Sequence, residues 1–147
     1  MPDFDAIGTA LAARFAAAAV TPPTGFGNIR LSTADLPNGV ATLPTVLIFP
    51  DTGDFATGNG TRLGIQDWLV RFYYAQTGDL TRDTNALRKW LTVLVDQLRD
   101  SVQLGGVVVY ARVDGWRVGQ LTYAGQDYSG LELRVRVQTS EAWPAVA

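Results

Sequence analysis

Between residues 131 and 138 the chain alternates without a break: Leu131, Leu133, Val135 and Val137 are apolar, and Glu132, Arg134, Arg136 and Gln138 are polar. A period of two puts the two sets on opposite faces of a strand, so LELRVRVQ predicts a strand with one buried and one polar face. A similar beat runs through RLGIQDWLVRFYYA (62–75), where Trp68, Val70, Phe72 and Tyr74 alternate with Leu69, Arg71 and Tyr73. Leu63 and Ile65 fall on the other parity, which predicts a bulge near Gln66 and Asp67. NIRLST (28–33), LPTVLIFP (43–50) and the β-branched VVVYARV (107–113) predict further strands. Asp114-Gly115 signals a tight turn into WRVGQLTYA, and AGQDYSG (124–130) a second turn.

Two stretches keep a helical period instead. Phe4, Ile7, Leu11 and Phe15 recur at three- and four-residue steps, which predicts a helix over 3–19 that Thr21-Pro22-Pro23 ends. In the second, TGD (77–79) opens the helix with Asp79 as N-cap. Leu87, Leu91, Leu94, Leu98 and Val102 form its stripe, widened by Trp90 and Val95, and Leu104-Gly105-Gly106 stops it. No linker or repeat divides the chain. The order helix, strands, helix, strands predicts a single α+β domain over 1–147, with its core at about 3–138 and a short tail at 139–147. Its sheet is expected to be mostly antiparallel, of four to six strands, with the two main helices packed on one face.

One segment escapes both periods. DTGDFATGNG (51–60) has the composition of a loop, with Phe55 its only large apolar residue. Its length and Gly/Asp content predict a flexible connection that orders on meeting a partner. Asp51 and Asp54 lack the ligand spacing of a calcium loop, and a glycine-rich loop does not hold two acids across a cleft as a hydrolase requires.

Composition narrows the chemistry further. The 147 residues contain neither histidine nor cysteine, which removes the commonest acid–base group, thiolate metal clusters and disulfides. A formal charge of -2 gives no basic field for sequence-specific nucleic-acid binding. No apolar run approaches the roughly 20 residues that span a bilayer, and Asp3 and Asp5 stand where a signal peptide would be basic, so a cytoplasm-like compartment is expected. No GxSxG elbow or GxxxxGK[ST] loop occurs, and the serines have no histidine to activate them. The expectation is no catalytic site, no cofactor and no metal.

The polar row Glu132, Arg134 and Arg136 has two readings: a solvated sheet face, or a contact where mixed charges meet complementary ones on an identical neighbour. Four tryptophans and five tyrosines are many for a core of this size, and Trp116 beside a turn and Trp143 in the tail are poor core candidates of the kind that anchor interfaces.

The succession of an N-terminal amphipathic helix, LPTVLIFP, a Gly/Asp loop, QDWLVRFYYAQTGD, the helix DTNALRKWLTVLVDQL and the closing LTYAGQDYSGLELRVRV resembles the tail terminator (tail completion) proteins of long-tailed bacteriophages. The likeness covers residues 3–138 and includes the loose motif YAGxxYxG, Tyr123 to Gly130. It implies a structural virion protein: a hexameric ring on the head-proximal end of the tail tube that stops tube polymerisation and offers a surface to head-completion proteins, with DNA passing through the channel without specific binding. On that reading Asp51, Asp54, Phe55, Trp116, Glu132, Arg134 and Arg136 are the expected interface residues, and the 51–60 loop reaches the adjoining ring or lines the channel. A head–tail connector or stopper protein is the neighbouring alternative, and a small enzyme or ligand-binding α+β domain the more distant one.

Overall fold

In a computed structural model describing residues 3–58, 60–76, 79–99 and 102–142, the alternation at 131–138 belongs to a strand of 17 residues, β5 (Gln126–Ala142). This strand lies between β3 (Thr61–Gln76) and β4 (Tyr110–Tyr123), antiparallel to both. On its other side β3 pairs with β2 (Thr45–Gly58), and β1 (Leu31–Thr33) adds a parallel edge to the first three residues of β2. The order across the five-stranded sheet is β1-β2-β3-β5-β4. The expected α+β architecture, mostly antiparallel, is what forms.

Two helices cover one face of this sheet, α1 (Phe4–Arg14) and α2 (Leu80–Asp96). Asp79 caps α2 as expected, its carboxylate accepting from the Arg82 amide at 3.0 Å; Thr77 and Gly78 lie outside the described residues. Leu87, Trp90, Leu94 and Leu98 press onto Leu131, Leu133, Val135 and Val137, and the Trp90 ring centroid stands 4.8 Å from that of Phe72. Each such side chain contributes on the order of 1.5–3 kcal/mol by leaving water, so this face holds most of the fold's driving force.

Both helices are shorter than the sequence predicts. α1 stops at Arg14, where the Phe15 and Ala16 amides turn back to the carbonyls of Ala12 and Ala13. Phe15 is fully buried, whereas Ala16–Ala19 have no side chain long enough to reach the sheet, so further turns would bury little. α2 ends at Asp96, and Val102 instead bridges Ala111 on the outer edge of β4 with hydrogen bonds of 3.0 and 2.7 Å. The Arg14 Nε donates to the Gln97 carbonyl at 2.8 Å, fastening one helix end to the other.

Several strand assignments also change. The bulge expected near Gln66 and Asp67 lies opposite β3 rather than in it, at Asp51, between the pairs Pro50↔Trp68 and Thr52↔Asp67, and the irregularity of β3 itself comes later, at Tyr74, between Tyr73↔Gly130 and Ala75↔Ser129. Proline cannot donate to the ladder, and the Asp51 bulge falls beside it. In β3 the buried parity runs unbroken through Gly64, Gln66, Trp68, Val70 and Phe72, leaving Leu63 and Ile65 on the opposite face. Asp114-Gly115 is no turn: β4 passes straight through it with a bulge at Asp114, and the chain reverses only at Ala124-Gly125. β4 begins at Tyr110 rather than at 107. The expected tail from 139 is strand as far as Ala142; Trp143 and the rest of 143–147 lie outside the described residues.

The largest difference concerns 51–60. Thr52 to Gly58 pair residue by residue with Thr61 to Asp67, so the segment is a β-hairpin and not a loop. Period-two patterning fails there because residues 51–58 are exposed on both faces and no core selects one parity. Coupled ordering from a loop therefore loses its structural premise.

Candidate interaction surface

Beyond the helices the sheet continues as an arm of three strand segments. β3 pairs there with β2 from Thr52 to Gly58 on one side and with β5 from Arg136 to Ala142 on the other. At about 3.4 Å per residue the seven paired β2 residues extend it by roughly 24 Å. With little to bury, the arm is held by its ladder and by side chains crossing it. The Arg62 guanidinium lies 4.3 Å from the Phe55 ring centroid and pairs with Glu141. Phe55 in turn covers Gly64, where an added Cβ would stand 3.1 Å from the ring and closer still to the Thr139 hydroxyl. Phe55 nevertheless remains 48% exposed, on the same face as the helices. Asp54, opposite Ile65, points to the bare face, and Asp51 sits in the bulge; both are exposed.

The bare face of the sheet carries the predicted polar row. Glu132 accepts from Arg71 Nε at 2.6 Å and lies 4.0 Å from Arg117. Arg134 stands 3.8 Å from Asp114, and Arg136 reaches both Asp67, at 3.5 Å, and Asp114, at 3.6 Å. The row is thus a cross-strand lattice of ion pairs within one chain. Of its counter-ions, Arg71, Asp67 and Asp114 stand in the sequence only as pattern, bulge and turn residues, and Arg117 carries no signal of its own. The odd parity of β3 points to two of them; the other two are hidden by the apparent turn at 114–115. Burial opposes the Arg71 charge, but Glu132 more than compensates and the guanidinium pKa is raised.

Next to that lattice a second apolar cluster forms on the bare face. Leu47, Tyr73, Leu121 and Tyr128 are buried there beneath Val40 and Leu43, with Phe49 and Tyr123 at the margin. Tyr123 donates to the Pro37 carbonyl, fixing the loop that forms the cover. Burial pushes the Tyr73 phenol above its ordinary pKa while the Arg71 charge pulls the other way, and the Tyr73 hydroxyl has no hydrogen-bond partner.

Trp116 is the outlier. It lies in mid-strand, not beside a turn, and pairs with Leu133, which places it on the helix-bearing face. With 62% of its surface exposed it borders a shallow groove shared with Leu91, Val95, Asp96 and Arg99 of the α2 segment. β4 is an edge strand, and beyond the Val102 bridge to Ala111 no other strand of the described residues covers it.

Among the described residues no group of three acids is placed to hold a metal ion. A hydroxyl–carboxylate bond, Thr122 Oγ1 to Asp127 Oδ1 at 2.7 Å, sits exposed beside the β4–β5 turn. No helix among them is long and apolar enough to cross a membrane. The structure brings Glu132, Arg134 and Arg136 together, keeps Asp51, Asp54 and Phe55 on the arm, and puts Trp116 on the opposite face from the polar row and at the opposite edge of the sheet from β2. The chain matches no family model and no curated protein sequence.

Proposed function

We propose that the protein is a structural component of a phage tail that assembles as a ring at the head-proximal end of the tail tube and stops its growth. The observation that carries this reading is the arm: three paired strand segments, of which 51–58 of β2 is exposed on both faces and Phe55 is half-covered, project past the helices that bury the rest of the sheet. Long strands exposed on both faces and at one edge expose the chain to uncontrolled pairing, and an intended partner removes that hazard. The resemblance in element order to tail terminators supplies the identity of that partner: the tube protein on one ring face and a head-completion protein on the other. Ring size is six on the same resemblance.

In physical terms, termination requires one ring face to match the tube while the other offers no copy of it. The charge of -2 suits a channel that lets DNA slide without retaining it. Mixing the protein with polymerising tube protein and measuring tube lengths by electron microscopy tests the reading. Short, uniform tubes carrying a terminal ring are expected. Tubes of unaltered length, with the protein bound instead to head-completion protein, would move it to the connector or stopper class.

A further inference from the structure

The sheet has two open edges, and they match. On the β2 side, β1 covers only Thr45 to Leu47, so the arm segment 51–58 is bare. On the β4 side, Val102 covers only Ala111. Across the sheet β2, β3, β5 and β4 alternate in direction, so β4 runs opposite to β2, and a second copy placed in the same orientation brings its arm antiparallel to the free edge of β4.

From this geometry we infer that the free edge of β4 and the Trp116 groove receive the arm of a second copy of this chain, in the register that sets Phe55 opposite Trp116 and Asp54 opposite Arg117. Both faces agree with that register. Phe55 and Trp116 lie on the helix-bearing face, the two most exposed aromatic side chains described, while Asp54 and Arg117 lie on the bare face with opposite charges. The arm strand has two acids and no base over 51–58, whereas β4 carries Arg112 and Arg117 against Asp114, which Arg134 and Arg136 already occupy. The existing covers overlap it at one position only. In this register, with Asp51 and Asp114 bulged, the Val102 bridge falls opposite the arm's end, past Gly58, and β1 comes level with β4 only where Leu47 stands opposite Tyr123, the last residue of β4. Cross-strand aromatic and charge pairs of this kind favour one register over its neighbours. The contact joins different surfaces, so it propagates head to tail and closes into a ring only if the rotation permits. Closure at a fixed number rests on the tail-terminator reading; the contact itself does not.

The chain has no cysteine, so a designed pair reports without background. Phe55→Cys in one tagged chain and Trp116→Cys in another, mixed and oxidised, are expected to give a mixed disulfide dimer. Phe55→Cys with Gln120→Cys, displaced by roughly 13 Å along the strand, is expected to give at least about tenfold less. Adding Asp54→Arg to the first chain should lower trapping by roughly three- to tenfold, and adding Arg117→Asp to the second should restore it. Equal yields from the two pairs, a predominant Phe55→Cys homodimer, or no rescue by the charge swap would overturn the contact. Trapping without tube capping would leave the contact standing and remove the terminator reading; capping without trapping would do the reverse.

Discussion

β2 and β3 are each one continuous strand with two different lives. From Thr45 to Phe49 and from Trp68 to Tyr73 they are buried beneath α1 and α2 on one face and partly by the Leu47–Tyr73 cluster on the other. From Thr52 to Gly58 and from Thr61 to Asp67 the same ladder runs on with Phe55, Gly64 and the Arg62–Glu141 pair as its main side-chain support. The contrast teaches that a hydrogen-bonded ladder sets where the chain goes, whereas apolar cover sets how hard it is to open.

The sharpest way to break the covered half is Trp90→Ala. It removes the largest fully buried side chain and its contact with Phe72, and should cost about 3–5 kcal/mol in chemical denaturation. Native-state hydrogen exchange sharpens the same contrast without mutation: amides of 53–57 are expected to exchange on the order of a hundredfold faster than those of 68–72, because the arm opens locally. Equal protection would mean that the arm is stabilised as fully as the core. A third test places one substitution in both halves. In Gly130→Ala the new methyl meets the Phe72 carbonyl and the Leu121 side chain, a backbone contact that cannot turn aside, and about 1–3 kcal/mol should be lost. Gly64→Ala meets the Thr139 hydroxyl and the Phe55 ring, both able to rotate, and should cost less than about 1 kcal/mol.

The smallest effect is expected at Tyr73→Phe. Removing an unbonded buried hydroxyl should be neutral or stabilising by up to about 1 kcal/mol. Its value lies in the pH dependence. The folded phenol titrates above the ordinary 10.0, so the native state retains its proton longer than the unfolded chain. The resulting contribution is complete below pH 10.0 and is lost as pH rises through the folded value. Denaturation curves in alkaline buffer should show that slope in the parent and a weaker one in Tyr73→Phe.

How much of this was legible depended on whether a core was present to enforce a pattern. β5 and α2 bury one face each, and Leu131 to Val137 and Leu87 to Leu98 spell it out in the sequence. Asp114-Gly115 carries a strong local turn signal, yet Arg134 and Arg136 neutralise Asp114 across the sheet and the strand absorbs it as a bulge. Tertiary pairing overrode local chemistry. The arm was unreadable for the opposite reason: with neither face of 51–58 buried, nothing in DTGDFATG had to alternate. The sequence marks Trp116 as a poor core candidate, but its face and its neighbours depend on that bulge, which shifts the parity of everything after it. The polar row was visible as a row; that its charges are already matched inside the subunit was not, since the partners come from β3 and β4.

The bulge at Asp114 and the one at Asp51 do more than interrupt the ladder. Each concentrates twist at one point of an otherwise regular strand, and one lies near each free edge of the sheet. If copies meet edge to edge, the angle between those edges is the angle by which each copy turns from the last, and these two residues, with the bulge at Tyr74 between them in β3, are points of the sheet that set it. Deleting either residue would then alter the head-count of a closed assembly before it altered the affinity.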